Sequence, residues 1–319
     1  MVGKCLLKKM IRKGCSILIP SFKSNILILE DTIKDILKNW TNKNELEIII
    51  IIDGGLSEND EFVIKLKEIK NRFSQIKLLL NLKRLGQQKS ILNGFSVCSF
   101  DTIITIDDDY KYPLYDINSL YIQFKKNDLD CIIGKPKIES RSLVRKFGTK
   151  FVKKVFGFIY NNKIYFSSFR FLKTKIAKKI LEKNHASPVI GYLILEETNK
   201  VGNFYYSHNQ NNFVSRYKLF DLLNYFIQMN FYYTKLFYKL FLYLGGIVFV
   251  STLIMMLYYL YIYFTSSSAL PGFTTIVILI LIFIQIFFFA IAILLKYLIS
   301  ILEILKKINT YNNKEYKDI

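Results

Sequence analysis

Residues 102–109 read Thr-Ile-Ile-Thr-Ile-Asp-Asp-Asp, an apolar β-branched stretch that ends in three adjacent carboxylates. This composition is typical of a buried strand, and we predict one over residues 102–107. Alternate side chains of a strand share a face, which lets Asp107 and Asp109 point the same way. Adjacent carboxylates repel one another, so a divalent cation or several donors must neutralise them. The alternative is an acidic, solvated turn.

Apolar runs alternate with helical patterns upstream of this stretch. We predict strands over 16–20, 47–52 and 77–80, and helices over 26–38, 61–73 and 87–97. This alternation indicates right-handed βαβ crossovers and an α/β domain with a mostly parallel sheet. Ligands of such sheets bind beyond the carboxyl ends of the strands. Functional residues are therefore expected over 20–24, 53–57 and 107–113.

Asp53 is a second candidate, because it closes the strand predicted over 47–52 and precedes Gly54 and Gly55. Two glycines let a ligand approach the backbone closely. The Asp53 carboxylate would then accept hydrogen bonds from a nucleobase or a ribose. An Asx-type turn explains the same residues without a ligand.

Two uncharged runs, 241–264 and 273–295, follow the mixed part of the chain. Each is long enough to cross about 30 Å of hydrocarbon at about 1.5 Å per residue. We therefore predict a soluble domain over 1–215, a transmembrane hairpin over 241–295 and a cytoplasmic tail over 296–319. Residues 216–240 mix lysines with Phe and Leu, which favours an interfacial helix. An amphipathic helix packed on the domain core is the alternative.

The charge distribution predicts the orientation of this hairpin. The turn between the two runs lacks Lys and Arg, whereas lysines flank both outer ends. Positive-inside reasoning then places both termini in the cytoplasm, in a multi-pass protein of the inner membrane. The formal net charge of +20 favours contact with anionic lipid over nucleic acid, because it accompanies the long apolar segment.

The supply of cysteine and histidine restricts the chemistry. The chain has 4 widely spaced cysteines and 2 histidines. The cysteine spacing argues against a structural zinc site and a disulfide scaffold, and the small number of histidines argues against a His-rich metal site. Catalysis must therefore rest on carboxylates, Lys, Arg and backbone groups.

A series of short motifs carries a family resemblance. They are Ile19-Pro20-Ser21-Phe22, Asp53-Gly54, Leu85-Gly86, Asn93-Gly94, Asp107-Asp108-Asp109, Pro113, Phe169-Arg170-Phe171-Leu172 and Ser215-Arg216-Tyr217. Their order and spacing resemble the family 2 glycosyltransferases, in the branch of dolichol-phosphate mannose synthase and bacterial polyprenyl-phosphate glucosyltransferases. The resemblance implies a GT-A-like, Rossmann-type domain and an inverting transfer of sugar to a polyprenyl phosphate or other lipid-linked acceptor, in cell-surface polysaccharide assembly.

The resemblance also implies the site. A nucleotide sugar of the UDP or GDP type would bind at Pro20, Phe22, Asp53, Gly54, Gly86, Asp107 and Asp108. Mg²⁺ or Mn²⁺ would bind Asp107 and Asp109, and the catalytic group would comprise Asp109, Arg141, Arg145 and Arg170. The arginines are candidates for holding the acceptor phosphate, since a guanidinium binds phosphate through a rigid fork. Two-span relatives imply self-association through the membrane helices.

Several positions depart from the family pattern. Ile52 replaces an Asp, Lys23 and Ser24 replace Asn and Glu, and Gln210 falls where Arg is expected. These losses leave a second hypothesis open, a non-catalytic homologue that acts as a membrane-bound assembly partner. A small transporter is a weaker third, because the predicted spans contain no ionisable residue.

Overall fold

The computed structural model describes residues 12–109, 114–137, 167–183, 188–206, 236–265, 272–308 and 316–319. The chain forms two compact units. The first comprises Met1–Arg216 with Asn309–Ile319, and the second comprises Tyr217–Ile308. Most of the predicted interfacial helix, residues 216–235, lies outside the described residues. The same holds for Pro113, Arg141, Arg145 and the motif at 215–217.

The first unit is an α/β domain built on one sheet. Its strands are β1 (Arg12–Ser21), β2 (Leu46–Ile52), β3 (Ile76–Asn81), β4 (Phe100–Thr105), β5 (Cys131–Pro136), β6 (Arg170–Lys173), β7 (Val201–Tyr206) and β8 (Tyr316–Asp318). Its helices are α1 (Ile26–Asn39), α2 (Glu61–Arg72), α3 (Gln87–Val97), α4 (Ile117–Lys126), α5 (Thr174–Leu181) and α6 (Ile190–Glu197). Single 3₁₀ turns cover Lys43–Glu45 and Leu114–Asp116.

The strand order is β7-β5-β6-β4-β1-β2-β3-β8. Strands β1 to β4 are mutually parallel where they pair, whereas β6 and β8 are antiparallel to their neighbours. Strand β7 pairs in parallel with β5. The sheet is therefore mixed but mostly parallel, as the alternating pattern predicted.

Burial explains the unbroken apolar runs. Every residue of β2 is buried, because helices cover both faces of the sheet. Helices α1, α2 and α4 contribute to one layer, and α3, α5 and α6 contact one another on the other. Because β1, β2 and β4 are parallel, their carboxyl ends lie at the same edge of the sheet. The residues that follow these three strands are therefore close together.

The structure corrects one strand boundary at the carboxylates. Strand β4 ends at Thr105, whereas the sequence predicted a strand to residue 107. Ile106 still donates a backbone hydrogen bond to Leu18, but the three Asp residues lie beyond the strand. Strand alternation therefore does not fix their directions.

The second unit contains helices α7 (Leu236–Thr265) and α8 (Phe273–Ile308). Segments Phe241–Thr265 and Thr275–Ile301 are long and apolar enough to cross a membrane, judged by length and composition. Among the described side chains, contacts between the helices include a hydrogen bond from the Gln285 amide to the Thr252 hydroxyl at 2.6 Å and a stack of the Phe241 and Phe288 rings. This agrees with the predicted two-helix hairpin.

Candidate active site

Asp107 is held from two sides beyond the end of β4. The Gln87 side-chain amide, on the first residue of α3, donates to Asp107 Oδ1 at 2.6 Å. The Ser168 hydroxyl donates to Asp107 Oδ2 at 2.5 Å. Helix α3 and the segment before β6 therefore meet at this carboxylate and fix its orientation.

Asp108 has a different environment from its neighbour. Burial raises the pKa of the Asp108 carboxyl, and repulsion from Asp107 adds to the increase. Hydrogen bonds from Ser21 and Ser24, whose hydroxyls lie 2.7 Å apart, oppose it. Asp108 thus ties the end of β1 to the end of β4, while Asp107 is bonded to Gln87 and Ser168.

A divalent cation fits the chemistry of this cluster. Asp107 and Asp109 offer hard carboxylate oxygens, and Mg²⁺ or Mn²⁺ commonly binds one or two carboxylates together with water and substrate phosphates. Among the described residues, no group of three or more His, Cys, Asp or Glu side chains is placed to hold a metal alone. The remaining ligands would therefore have to come from substrate and solvent.

The Asp53 carboxylate accepts hydrogen bonds from groups of the protein itself. It is 6% exposed, and its Oδ1 accepts hydrogen bonds from the Leu85 N–H at 2.8 Å and the Asn81 amide at 3.1 Å. Its Oδ2 accepts the Gly86 N–H at 2.9 Å. A carboxylate has about four acceptor positions, so three are used within the protein. Direct binding of a nucleotide by Asp53 stays a prediction.

A buried polar network extends from this carboxylate. The Asn81 side-chain amide also donates to the Ser90 hydroxyl at 2.8 Å, and the Asn93 side-chain amide donates to Asn81 Oδ1 at 2.9 Å. Ser90 in turn donates to the Gly86 carbonyl. The network joins β3 to α3 and fixes the loop 82–86 between them. Gly86, at φ +80°, provides the backbone conformation that starts α3.

The other predicted nucleotide residues lie at the same edge. Pro20 is in β1 opposite Ile51, and Phe22 directly follows that strand. Gly54 follows β2 with φ +110°, and a Cβ there would lie 2.4 Å from the Phe22 ring. The structure therefore brings the residues that follow β1 and β2 into contact.

Arg170 holds the backbone of the segment that precedes β6. The side chain is 5% exposed, and its Nε and Nη2 both donate to the Ser167 carbonyl, at 3.0 and 2.6 Å. This fixes the segment that presents Ser168 to Asp107. Contact between Arg170 and an acceptor phosphate stays a prediction, and Arg141 and Arg145 lie outside the described residues.

The sequence reasoning missed several residues of this site. They are Asn81, Gln87 and Ser90. Ser21 and Ser24 fall within the stretch 20–24 where functional residues were expected, but their hydrogen bonds to Asp108 were not predicted. Strand-end position was the available signal, but it did not indicate which side chains contact one another.

Comparison with known proteins identifies the class. Residues 16–181, just over half of the chain, match the family described as Glycosyl transferase family 2. The chain therefore belongs to glycosyl transferase family 2, which confirms the resemblance and the GT-A-like α/β fold that it implied.

A curated relative is the undecaprenyl-phosphate 4-deoxy-4-formamido-L-arabinose transferase of Photorhabdus laumondii. It is 30% identical over 143 residues, which cover 44% of this chain and 42% of the relative. The chain thus matches less than half the length of this relative.

Two solved structures show a weaker likeness. The mannosyltransferase PcManGT from Pyrobaculum calidifontis, in complex with GDP-Man and Mn²⁺, is 11% identical with a TM-score of 0.40, over 54% of this chain and 48% of that chain. S. aureus TarS 1-349 in complex with UDP-GlcNAc is 11% identical with a TM-score of 0.44, over 70% of this chain and 74% of that chain. Similarities of this size assign no ligand and no residue role.

Proposed function

We propose that this chain transfers a sugar from a UDP- or GDP-type donor to a polyprenyl phosphate or another lipid-linked acceptor. The observation that carries the proposal is the carboxylate cluster 107–109, where Gln87 and Ser168 hold Asp107 inside a family 2 domain. The curated relative acts, by its name, on undecaprenyl phosphate, which supports a lipid phosphate as the acceptor. A role in cell-surface glycan assembly would follow from such a product.

The proposed reaction is a single displacement with inversion. An oxygen of the acceptor phosphate forms a bond to the anomeric carbon while the bond from that carbon to the nucleotide diphosphate breaks. The departing nucleoside diphosphate takes the electron pair. A phosphate is already anionic near neutral pH, so the attack needs positioning more than a strong base. This fits a chain with only 2 histidines.

We assign metal binding, orientation of the metal ligands and acceptor binding to different residues. Asp107 and Asp109 would hold Mg²⁺ or Mn²⁺, which when bound neutralises charge on the departing diphosphate. Gln87 and Ser168 orient Asp107 for that task. We assign Arg141 and Arg145 to the acceptor phosphate, by the family resemblance, and their rigid forks suit it.

Strand β8 supports the proposed membrane topology. The chain leaves the first unit after Arg216, passes through α7 and α8, and returns to the same sheet at Tyr316. A segment that crosses a bilayer twice ends on the side from which it left. Both ends of the hairpin would therefore face the compartment of the α/β unit, and the lysine distribution favours the cytoplasm.

Transfer in isolated membranes tests the function. Labelled UDP- and GDP-sugars are supplied with Mn²⁺ or Mg²⁺, and radiolabel in the extracted lipid is measured. Asp109→Ala should lower transfer by about 100-fold or more, because charge on the leaving group is no longer neutralised. Asp101→Asn is the matched control at the opposite end of β4, and it should retain transfer within about two-fold.

Two outcomes would oppose the proposal. Turnover retained in Asp109→Ala would remove the metal from the mechanism. A wild-type protein that neither transfers sugar nor binds UDP or GDP with either metal would favour the non-catalytic assembly partner.

A further inference from the structure

A basic pocket lies at the edge of the sheet opposite the carboxylate cluster. Its volume is about 510 Å³, and it forms where the start of β4, the end of α4 and the junction of β6 with α5 meet. Strands β4 and β6 bring these segments together, because Thr102 pairs with Lys173 in the antiparallel register. The 6 residues of β4 separate this edge from the carboxylates by about 20 Å. The pocket is therefore distinct from the proposed donor site.

The charged lining of the pocket is predominantly basic. It comprises Lys125, Lys126, Lys173, Lys175, Asp101 and Asp128. Four ammonium groups against two carboxylates leave an excess of two positive charges. Asp130, which binds Lys173 and Lys175, adds one negative charge, and Lys200, which binds Asp128, adds one positive charge. The excess is thus unchanged by the surrounding ion pairs, and it matches a phosphate group, whose charge is about −1.5 to −2 near pH 7.

The ion pairs within the pocket leave donors for a ligand. Each lysine ammonium has three N–H donors. Lys175 lies 2.9 Å from Asp130 Oδ1, yet its side chain is 60% exposed. Lys125 lies 2.6 Å from Asp101 Oδ2, and its side chain is 40% exposed. Both ammonium groups can therefore direct a further N–H toward an anion while their ion pairs remain intact.

The start of α5 makes the excess charge unfavourable for the protein alone. A helix N-terminus carries a partial positive charge, which acidic side chains or caps usually offset. The first turn of α5 contains no acidic residue, and Lys173 at the N-cap position forms no side-chain cap. The Thr174 hydroxyl donates instead to the Phe100 carbonyl at 2.6 Å. Lys173 and Lys175 therefore add positive charge where the helix is already positive, and a bound anion would relieve the repulsion.

We propose that this basic pocket binds a phosphate group. Its volume lies within the range of about 300–1,000 Å³ that is typical of small-molecule sites, so the phosphate can carry an organic substituent. The buried side chain of Phe124 supplies an apolar part of the lining for it. A soluble phosphate ester and an anionic lipid headgroup present the same oxygens to the lysines. Because the pocket lies apart from the carboxylate cluster, this inference does not depend on the proposed transfer.

Hydrogen–deuterium exchange on the full-length protein in phosphatidylcholine nanodiscs tests the proposal. Sodium phosphate is compared with sodium chloride at equal ionic strength, with EDTA present so that no divalent cation binds at the carboxylate cluster. Phosphate but not chloride should slow amide exchange at residues 174–176, the first turn of α5. Nanodiscs that contain phosphatidylglycerol provide the lipid source. Protection by inorganic phosphate identifies a soluble ligand, protection by phosphatidylglycerol alone identifies a headgroup, and either result supports the site.

The double variant Lys126→Gln/Lys175→Gln removes two exposed ammonium groups from the lining. It should weaken the binding that protects residues 174–176 by about 10-fold or more, because charge-assisted hydrogen bonds are lost. Lys179→Gln is the matched control, since it alters an exposed lysine of α5 outside the lining, and it should change binding by less than about two-fold. Trp40 fluorescence shows whether each variant remains folded, because Trp40 is the chain's 1 tryptophan and is buried in the first unit.

Three results would overturn the inference. Equal effects of phosphate and chloride would show that salt only screens the lysines. Undiminished protection in the folded double variant would show that the phosphate group binds elsewhere. Wild-type protein that neither inorganic phosphate nor phosphatidylglycerol protects would show that the pocket binds no phosphate group. The sugar-transfer assay is independent of all three results, so failure of this inference would leave the proposed function standing.

Discussion

Glu47 offers the sharpest test of what stabilises the α/β unit. It lies in β2, is 4% exposed, and its Oε1 accepts hydrogen bonds from the Ser16 hydroxyl and the Ser99 N–H, both at 2.6 Å. Its Oε2 accepts a hydrogen bond from the Lys77 ammonium. A buried carboxylate that accepts three donors contributes stability only while all of them remain bound.

We expect Glu47→Gln to lower the free energy of unfolding by about 2–3 kcal/mol. The amide keeps one oxygen for Ser16 and Ser99, but it places an N–H group opposite the Lys77 ammonium. One charge-assisted hydrogen bond, worth about 1.5–3 kcal/mol, is lost. The Lys77 side chain is 48% exposed and can turn to water, which keeps the loss near this range.

Thermal unfolding followed by Trp40 fluorescence measures this loss. Trp40 is 4% exposed and packs against Tyr121, so its emission reports on the α/β unit rather than on the helical hairpin. The expected loss corresponds to a midpoint lowered by about 4–12 °C in a unit of this size. The control, Asp128→Asn, removes an exposed partner of Lys200 and should leave the midpoint unchanged.

The stabilisation by Glu47 should also depend on pH. Burial alone would raise the pKa of Glu47, but the hydrogen bonds from Lys77, Ser16 and the Ser99 N–H outweigh it and lower the pKa. The stabilisation is therefore complete above the unfolded value of about 4.3 and is lost as pH falls through the folded pKa. A midpoint unaffected by Glu47→Gln at pH 7, or a difference from wild type that does not shrink on acidification, would refute the reasoning.

Three further changes are informative. Asp53→Asn should lower nucleotide affinity by about 10-fold or more, because a side-chain N–H replaces the oxygen that accepts a loop N–H group; calorimetry would contradict this if affinity were unchanged. Gly54→Ala should lower the unfolding midpoint, since the new methyl overlaps Phe22 and φ is +110°; an unaltered midpoint would show that the ring moves freely. Gln285→Leu removes an interhelical hydrogen bond to Thr252, worth about 0.5–1.5 kcal/mol. Backbone amide hydrogen exchange in the hairpin, measured in lipid nanodiscs, should therefore become about 2- to 12-fold faster. An unchanged exchange rate would contradict this prediction.

Sequence patterns located most of the elements around the site. The helix over 87–97 was predicted to the residue, because a glycine precedes it and apolar positions recur at helical spacing. Strand β2 differed by one residue at its start. These elements are defined by local propensity and burial, which a single sequence contains.

Contacts between distant side chains were not accessible in this way. Nothing near Asp107 indicates that its partners are Gln87 and Ser168, because the packing of α3 and the approach to β6 bring them together. The hydrogen bonds from the Leu85 and Gly86 N–H groups to Asp53 likewise depend on packing between segments that are distant in sequence. Strand β8 is short and polar, so only its partner in the sheet makes it a strand.

That late strand affects how the protein matures. Tyr316 pairs with Asn81 and donates or accepts a hydrogen bond at Ser96 of α3, while the Lys70 ammonium binds the Ile319 oxygen. During synthesis, β3 emerges long before β8, and both apolar helices come between them. Until the two apolar helices have been synthesised, β3 is therefore an edge strand with unpaired backbone groups. Such edge strands can pair with strands of other chains and so promote aggregation. Completion of the sheet therefore has to wait until both apolar helices have been synthesised.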